Sequence, residues 1–295
     1  MRAFEIRIWD GDDAGWDGML GAFPTAPMQA FAAYGGFARR SGRRVRRVLF
    51  QRAGGLVGMA QVLGRGAFWL LSHGPVFAED LSADERRHLL RRLARLCPGV
   101  LVATLAEPVS GFGLVPLVTP RHHAVWDLTP EPEALRAALA GKWRNRLCAA
   151  ERAGLRITAD PDPVWLLEAE AAQRKARGYR ALPPALIADW AQARPGDVWC
   201  LRAERRNGPP CAGIIVLRHG TGARYQIGWS GEEGRRPGAH NRLLWDAAMR
   251  LRRAGVRRFD LGDVNSETGA GLMHFKRGTG ARLERLGATV LVLPG

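Results

Sequence analysis

The segment 223–280 constrains the fold of this 295-residue chain more than any other part of it. Residues 225–229 are predicted to form a strand, followed by a turn-rich loop. Apolar residues then recur at helical spacing over 243–251, and a glycine ends that pattern. A second strand is predicted at 258–262. Two strands joined by one helix in this way pair in parallel through a right-handed crossover.

The carboxyl ends of these two strands are the expected position of a functional site. Ligands of parallel sheets gather at that edge, which brings together Trp229, the loop before the helix and Asp260. A basic loop is predicted beyond the second strand, at 273–277. We therefore expect the chemistry of this protein within the segment.

The net charge of +16 and the isoelectric point near 11.2 have two interpretations. Only Lys142, Lys175 and Lys276 are lysines, so nearly all of the 44 basic residues are arginines. This skew, with abundant alanine and glycine, is typical of a GC-rich genome and need not reflect function. The resulting field nevertheless attracts polyanions such as RNA, nucleotides and anionic lipid.

The cysteine pattern and the absence of long apolar runs favour a cytoplasmic protein. The four cysteines are scattered, without a CxxC pair or a histidine at zinc spacing, so free thiols and no metal site are expected. The first residues lack the apolar core of a signal peptide. No apolar run reaches the roughly 18 residues that a membrane span requires.

Two domains of mixed α/β structure are predicted, at 1–120 and 121–295. In the first, Ser82 and Glu85 form a capping box before a helix. The elements predicted in the first domain are helices at 27–39 and 83–96 and strands at 45–51, 56–63, 67–71 and 100–105, and 107–119 is interpreted as a linker. Those predicted in the second are strands at 124–128, 198–205, 211–217, 224–230 and 289–293 and helices at 130–140, 163–177 and 184–193. Both halves share the order helix, antiparallel strands, helix and strand, which indicates two similar folds.

Four places in the chain resemble the Fem-type aminoacyltransferases (FemABX family) and their acetyltransferase-like relatives. They are 142–146 with 151–155, 225–229, 244–246 with 259–262, and 274–278. The resemblance implies an α/β fold of two tandem GNAT-like (acetyltransferase-like) domains, with mixed sheets, flanking helices and a substrate cleft between the domains. The first domain would be the acceptor side, and the second would carry the acyl-transfer site.

The resemblance also implies a reaction and its partners. An aminoacyl group would pass from aminoacyl-tRNA to an amine, usually on a peptidoglycan precursor of the cell wall. This chain departs from the better-known members because it has few lysines and no long heptad run. The acceptor therefore stays open between a lipid-linked precursor, which would bring the protein to the inner membrane face, and a soluble peptide-like amine.

Direct attack by the amine is the simplest mechanism for such a transfer. The sequence has no Gly-x-Ser-x-Gly elbow and no histidine–cysteine arrangement, so no acyl-enzyme is expected. The resemblance assigns Lys276 to the acyl carbonyl and the RNA terminus, although a surface lysine in a basic loop is the alternative. Asp260 is a candidate for orienting the amine or accepting its proton, or it caps a turn. Tyr225 is a candidate donor to a carbonyl, or a core tyrosine.

The candidate substrate-binding residues are mostly basic. Lys142, Arg144 and Arg146 share one helix and would pair with phosphates, or would form a solvated face. Arg180 is a weaker candidate for an acceptor carboxylate or phosphate, and Trp229 belongs to the same predicted edge as Asp260.

The loop before the 243–251 helix resembles the pyrophosphate cradle of coenzyme A in acetyltransferase folds. Arg235 and Gly238 fit its Gln/Arg-x-x-Gly-x-Gly/Ala spacing, whereas His240 occupies the last small position. This bulk argues against coenzyme A and leaves room for a phosphate of an RNA end. No resident cofactor is therefore expected. Two alternatives remain: an acyl-coenzyme A-dependent N-acyltransferase on the same fold, and a non-catalytic RNA- or membrane-binding protein.

Overall fold

The computed structural model describes residues 4–179, 181–205, 208–264 and 270–295. The chain divides into two compact units. Unit 1 comprises Met1–His122 and Arg285–Gly295, and unit 2 comprises His123–Glu284. Each unit is built on a mixed sheet with flanking helices, which is the predicted fold class.

Unit 1 contains an eight-stranded sheet whose main path runs β1-β2-β3-β4-β6-β15-β7, with β5 paired to β3. The strands are β1 (Phe4–Ile8), β2 (Arg44–Arg52), β3 (Gly55–Arg65), β4 (Phe68–Ser72), β5 (Val76–Phe77), β6 (Val100–Thr104), β7 (Leu114–Val118) and β15 (Thr289–Val292). The helices are α1 (Asp13–Leu20), α2 (Ala32–Arg40) and α3 (Ala83–Arg95), with a 3-10 turn at Met28–Ala30. β4 and β6 are parallel.

Helix α3 closes one face of this sheet. The Ser82 hydroxyl accepts a hydrogen bond from the Glu85 amide, and the Glu85 carboxylate accepts one from the Ser82 amide, so the predicted capping box is present. Such a cap stabilises a helix by about 1 kcal/mol. Leu89, Leu90 and Leu93 are fully buried against the sheet.

Unit 2 contains a seven-stranded sheet in the order β14-β8-β13-β12-β11-β10-β9. The strands are β8 (His122–Asp127), β9 (Arg156–Ala159), β10 (Val198–Glu204), β11 (Pro210–His219), β12 (Gly222–Ser230), β13 (Arg258–Asp263) and β14 (Arg282–Arg285). The helices are α4 (Pro132–Ala137), α5 (Gly141–Arg152), α6 (Val164–Arg177), α7 (Ala185–Ala193), α8 (Glu232–Arg235), α9 (Ala239–Arg253) and α10 (Ala270–Arg277). β12 and β13 pair in parallel, as predicted.

The structure corrects four predictions about the elements. The predicted linker 107–119 contains the strand β7, because a proline is tolerated at the edge of a sheet. The predicted helix 27–39 is interrupted at Phe31, whose ψ of 151° is extended. The predicted basic loop 273–277 lies in helix α10.

The fourth correction concerns the last strand. The sequence analysis assigned it to the second domain, but β15 lies between β6 and β7 in the sheet of unit 1. Apolar periodicity predicts a strand without indicating which sheet it joins. Unit 1 is consequently built from both ends of the sequence.

Candidate active site

The strands β12 and β13 separate directly after Arg224 and Asp260. Their parallel pairing covers Gly222–Arg224 and Arg258–Asp260. Beyond this point β12 stays paired with β11, while β13 pairs with β8. The separation opens the edge at which the sequence predicted a site.

A bulge in β12 turns Tyr225 toward helix α9. Ile227 pairs with Ile215 and Tyr225 pairs with Val216, which leaves Gln226 as an extra residue. Tyr225 and Gly228 therefore face the same side although they are three positions apart. A Cβ atom at Gly228 would overlap the Tyr225 hydroxyl, so this close approach requires glycine.

Tyr225 forms a hydrogen-bonded pair with His240, the second residue of α9. The Tyr225 hydroxyl lies 2.8 Å from His240 Nε2. Burial lowers the pKa of His240 to about 4, although a hydrogen bond to the Trp229 backbone opposes the shift, so the ring is neutral at pH 7. A backbone carbonyl only accepts, so the imidazole donates to Trp229 and Nε2 accepts the Tyr225 proton. Burial raises the pKa of Tyr225 well above its usual value, which keeps the phenol protonated.

Lys276 lies on helix α10 beside the point of separation and is only 7% exposed. Its ammonium donates to the backbone carbonyl of Asp263 at 2.8 Å. Burial lowers the pKa of Lys276 to about 8, while the charge of Asp260 acts in the opposite direction. The neighbouring Phe275 packs against the His240 ring, with a centroid separation of 5.4 Å. Through the adjacent residues Phe275 and Lys276, helix α10 thus contacts both the His240 ring and the Asp263 carbonyl.

Asp260 is held as a carboxylate by three donors. Its Oδ2 atom lies 2.7 Å from Arg224 Nη1 and 3.1 Å from His123 Nδ1, and its Oδ1 atom accepts the Gly262 amide at 2.7 Å. Burial alone would raise the pKa of Asp260, but Arg224, His123 and this amide hold it well below its usual range. A carboxylate of such low basicity is a weak proton acceptor.

A cationic surface is formed by exposed side chains of α5, by Arg235 at the end of α8 and by the loop between α8 and α9. Arg146 donates to the backbone carbonyls of Arg236 and Arg235 at 3.1 and 3.2 Å. Gly238 has a φ of +80°, and a Cβ atom there would lie 3.0 Å from the Arg146 carbonyl. The predicted binding residues Lys142, Arg144, Arg146, Arg235 and Gly238 therefore belong to one part of unit 2. Helix α9 begins after Gly238 and has no side-chain hydrogen bond at its N-cap.

Two further residues were predicted to bind substrate. Trp229 packs edge-on against Trp165 of α6, with a centroid separation of 6.0 Å. Arg180 lies outside the described residues.

The sequence analysis missed His123, Arg224 and Glu170. The first two surround Asp260, and their meeting depends on strand register, which no local pattern reveals. Glu170 is buried on α6, where it accepts a hydrogen bond from Tyr179 at 3.1 Å. A glutamate at helical spacing gives no sequence signal of burial.

Other kinds of chemistry have little support within the described residues. They contain no group of three or more histidine, cysteine or acidic side chains able to hold a metal ion. Burial raises the pKa of Cys97 to about 11 and that of Cys200 to about 12, so these thiols are poor nucleophiles. None of the described helices is long and apolar enough to span a membrane.

Comparison with known proteins agrees with this architecture. Residues 132–277 match the family model of the acetyltransferase (GNAT) domain. No curated protein matches the sequence. The crystal structure of FemX is similar over 97% of both chains, with a TM-score of 0.77 and 14% identity.

Two further solved structures share the fold. The C-terminal domain of a putative lysylphosphatidylglycerol synthetase from Agrobacterium fabrum is 17% identical, with a TM-score of 0.56 over 96% of this chain and 93% of that one. A tandem GNAT protein from the clavulanic acid biosynthesis pathway is 14% identical, with a TM-score of 0.53 over 98% of this chain and 97% of that one. The domain match and these folds support an acyltransferase. The resemblance to the FemABX family is thus confirmed at the level of the fold: the chain has the fold of FemX, and residues 132–277 of its second unit match an acetyltransferase (GNAT) domain.

Proposed function

We propose that unit 2 transfers an aminoacyl group from aminoacyl-tRNA to an amine by direct attack, without an acyl-enzyme. The observation that carries this proposal is the buried ammonium of Lys276 at the point where β12 and β13 separate. The FemABX resemblance implies the donor, and the cationic surface of α5 and the α8–α9 loop supports it. The acceptor is an amine of a peptidoglycan precursor or of a similar peptide.

The donor would be held by its phosphates. Lys142, Arg144 and Arg235 are exposed cations, and α9, which has no side-chain cap, begins close to Arg235 in the chain. Arg146 fixes the loop through two carbonyls and still has unused guanidinium donors. His240 fills the last small position of the coenzyme A signature, which favours an RNA end over coenzyme A.

Lys276 would stabilise the oxyanion that forms when the amine attacks the ester carbonyl. One of its three N–H donors is engaged by Asp263, so two remain for the developing charge. A donor of this kind in a dry site contributes about 3 kcal/mol to transition-state stabilisation. Asp260 would act through Lys276, because its permanent charge opposes the effect of burial and keeps the ammonium protonated at pH 7.

Tyr225 would transfer the proton of the reaction. The new C–N bond forms as the bond between the acyl carbon and the ribose oxygen breaks, and the proton lost by the amine must reach that oxygen. The Tyr225 hydroxyl, held in place by neutral His240, would release its own proton to the ribose oxygen and take the amine proton in exchange. Charge is balanced because one proton leaves the nitrogen and one reaches the leaving oxygen.

A second candidate is an acyl-coenzyme A-dependent N-acyltransferase on a small amine. The match of residues 132–277 to an acetyltransferase domain favours it. The structure of the tandem GNAT protein was solved without acetyl-coenzyme A, which links that compound to a protein of the same fold. The two candidates differ in the donor and share the site.

Donor competition separates the two candidates. The purified protein is incubated with a mixed pool of charged tRNAs, or with acetyl-coenzyme A, together with candidate amines, and mass spectrometry identifies the product. Transfer from charged tRNA, falling steeply as salt rises, is the expected result, because phosphate contacts release counterions. Saturable transfer from acetyl-coenzyme A alone, with little dependence on salt, would establish the second candidate instead.

A further inference from the structure

One face of the unit 1 sheet carries an exposed apolar surface. Along β4, β6, β15 and β7, successive side chains alternate between the face of the sheet that packs against α3 and the opposite face. Those facing α3, such as Trp69, Leu101 and Val292, are buried in the unit 1 core. The residues that face away include Phe68, Val100, Val115, Leu117 and Leu293, each between 37% and 67% exposed. We name these five residues the apolar face.

Strand register makes this surface continuous. Phe68 lies opposite Val100 in the parallel pair β4–β6. One pleat further along, Val102 lies opposite Leu291, which in turn lies opposite Val115. The apolar face therefore spans four adjacent strands, whereas isolated exposed apolar residues are ordinary on any protein.

Charge around the apolar face is positive. The four strands contain no charged residue, and arginines stand near the ends of β4 and β7. Arg65 lies opposite Phe68 in the β3–β4 pair. Arg121 is exposed shortly after β7.

A second copy of the chain is a poor occupant of this surface. Two molecules of net charge +16 repel each other, and the basic ends of the strands would meet like charge. The edge strand β7 also carries Pro116 and a register shift against β15, features that block pairing with a further strand.

We propose that the apolar face binds the surface of an anionic lipid bilayer. Phe68, Leu117 and their neighbours enter the boundary between headgroups and acyl chains, and the arginines contact lipid phosphates. Apolar side chains with a basic rim are the combination that interfacial binding requires. The inference does not depend on whether the acyl donor is aminoacyl-tRNA or acyl-coenzyme A, since it concerns unit 1 and not the acyl-transfer site.

Vesicle cosedimentation tests this proposal. Vesicles of phosphatidylcholine are compared with vesicles of phosphatidylcholine mixed with phosphatidylglycerol. The test variant is Phe68→Thr/Leu117→Thr, and the control is Val164→Thr/Leu283→Thr, which changes two residues of unit 2 that are 52% and 43% exposed. All proteins keep the same charge, so a difference between variants reports apolar contact only.

Wild type and control are expected to sediment with the phosphatidylglycerol vesicles. The test variant should have a partition coefficient lower by a factor on the order of 30, because two large apolar groups no longer enter the bilayer. Unchanged thermal unfolding of the variant would show that the fold is intact. Equal binding by all three proteins would attribute membrane association to net charge and overturn the proposal.

Two other results would also overturn it. Failure of the wild-type protein to bind either vesicle would exclude a bilayer as the occupant. Loss of a dimer in the test variant, seen by analytical ultracentrifugation without any change in vesicle binding, would assign the apolar face to self-association.

Discussion

Arg224 and Asp260 form an ion pair of 2.7 Å at the last positions where β12 and β13 are paired. The pair stands at the point from which the two strands diverge. On one side of it Tyr225 turns to His240, and on the other Lys276 donates to Asp263. The charge of Asp260 acts on the pKa of Lys276, so the ion pair links strand architecture to the chemistry proposed for the site.

Replacing Asp260 should destabilise the protein strongly. Asp260→Asn removes the counter-charge of the partly buried Arg224 and one of the two acidic charges that act on the buried Lys276, which costs about 3 kcal/mol or more in the free energy of unfolding. Urea denaturation measures this change. Glu131→Gln is the control, because Glu131 pairs with Arg252 but is 75% exposed, and a loss below about 1 kcal/mol is expected. Equal losses in the two variants would contradict the importance given to the buried pair.

Removing the Lys276 ammonium should affect the rate more than the fold. Lys276→Ala is expected to lower kcat by roughly 10² or more, the usual effect of losing an oxyanion donor. Steady-state kinetics with the donor identified above measure it, and circular dichroism checks that the variant is folded. Turnover equal to that of wild type would remove Lys276 from the proposed mechanism.

Lys276 should also leave a signature in the pH dependence of stability. Its pKa is about 8 in the folded protein and near 10.5 when unfolded, so the unfolded state binds more protons between these values. The free energy of unfolding therefore rises with pH across that window, by up to about 3 kcal/mol from this group. Urea denaturation of wild type and of Lys276→Met at several pH values isolates the contribution, because all other groups are shared. A constant difference between the two proteins would indicate an ordinary, solvated lysine.

Gly228→Ala should disrupt the Tyr225–His240 pair. The added methyl would overlap the Tyr225 hydroxyl and lie 2.7 Å from His240 Cε1, so one of the two rings must move. We expect a loss of about 2 kcal/mol in stability and a lower kcat. Gly18→Ala is the matched control, since nothing lies within 4 Å of its added methyl in helix α1, and a slight gain in stability is expected. A Gly228→Ala protein as stable and active as wild type would show that the pair tolerates displacement.

The cationic surface should control donor affinity. Arg144→Gln and Arg235→Gln are each expected to raise KM for charged tRNA and to reduce the slope of log(kcat/KM) against log salt by about 1. Arg253→Gln, on an exposed arginine at the far end of α9, is the control. An unchanged slope in the first two variants would separate this surface from the donor.

Local signals in the sequence were sufficient to predict the strand–helix–strand unit that positions the site. The periodicity of 243–251 and the flanking strands lie close together, so short-range rules also predicted the parallel pairing of β12 and β13. Lys276 emerged as a candidate because lysine is rare here and because of the family resemblance. The burial of Lys276 depends on the packing of several segments, so no single stretch of the sequence predicts it.

Long-range register explains what the sequence analysis missed. His123 reaches Asp260 only because β8 pairs with β13, across more than a hundred residues of sequence. The bulge at Gln226, which aims Tyr225 at His240, arises from the pairing of β12 with β11. Strand β7 was interpreted as a linker because its proline and flanking glycines resemble a loop until its partner β15 is known.

The position of β15 has a consequence for the order of events during translation. Unit 2 is continuous in sequence, whereas the sheet of unit 1 needs a strand that is synthesised only after all of unit 2. Until β15 is synthesised, β6 and β7 therefore lack the strand that lies between them. Their unpaired edges can bind chaperones or pair with the wrong strand. Unit 2 is the part that can mature first on the ribosome, which reverses the usual N-to-C order.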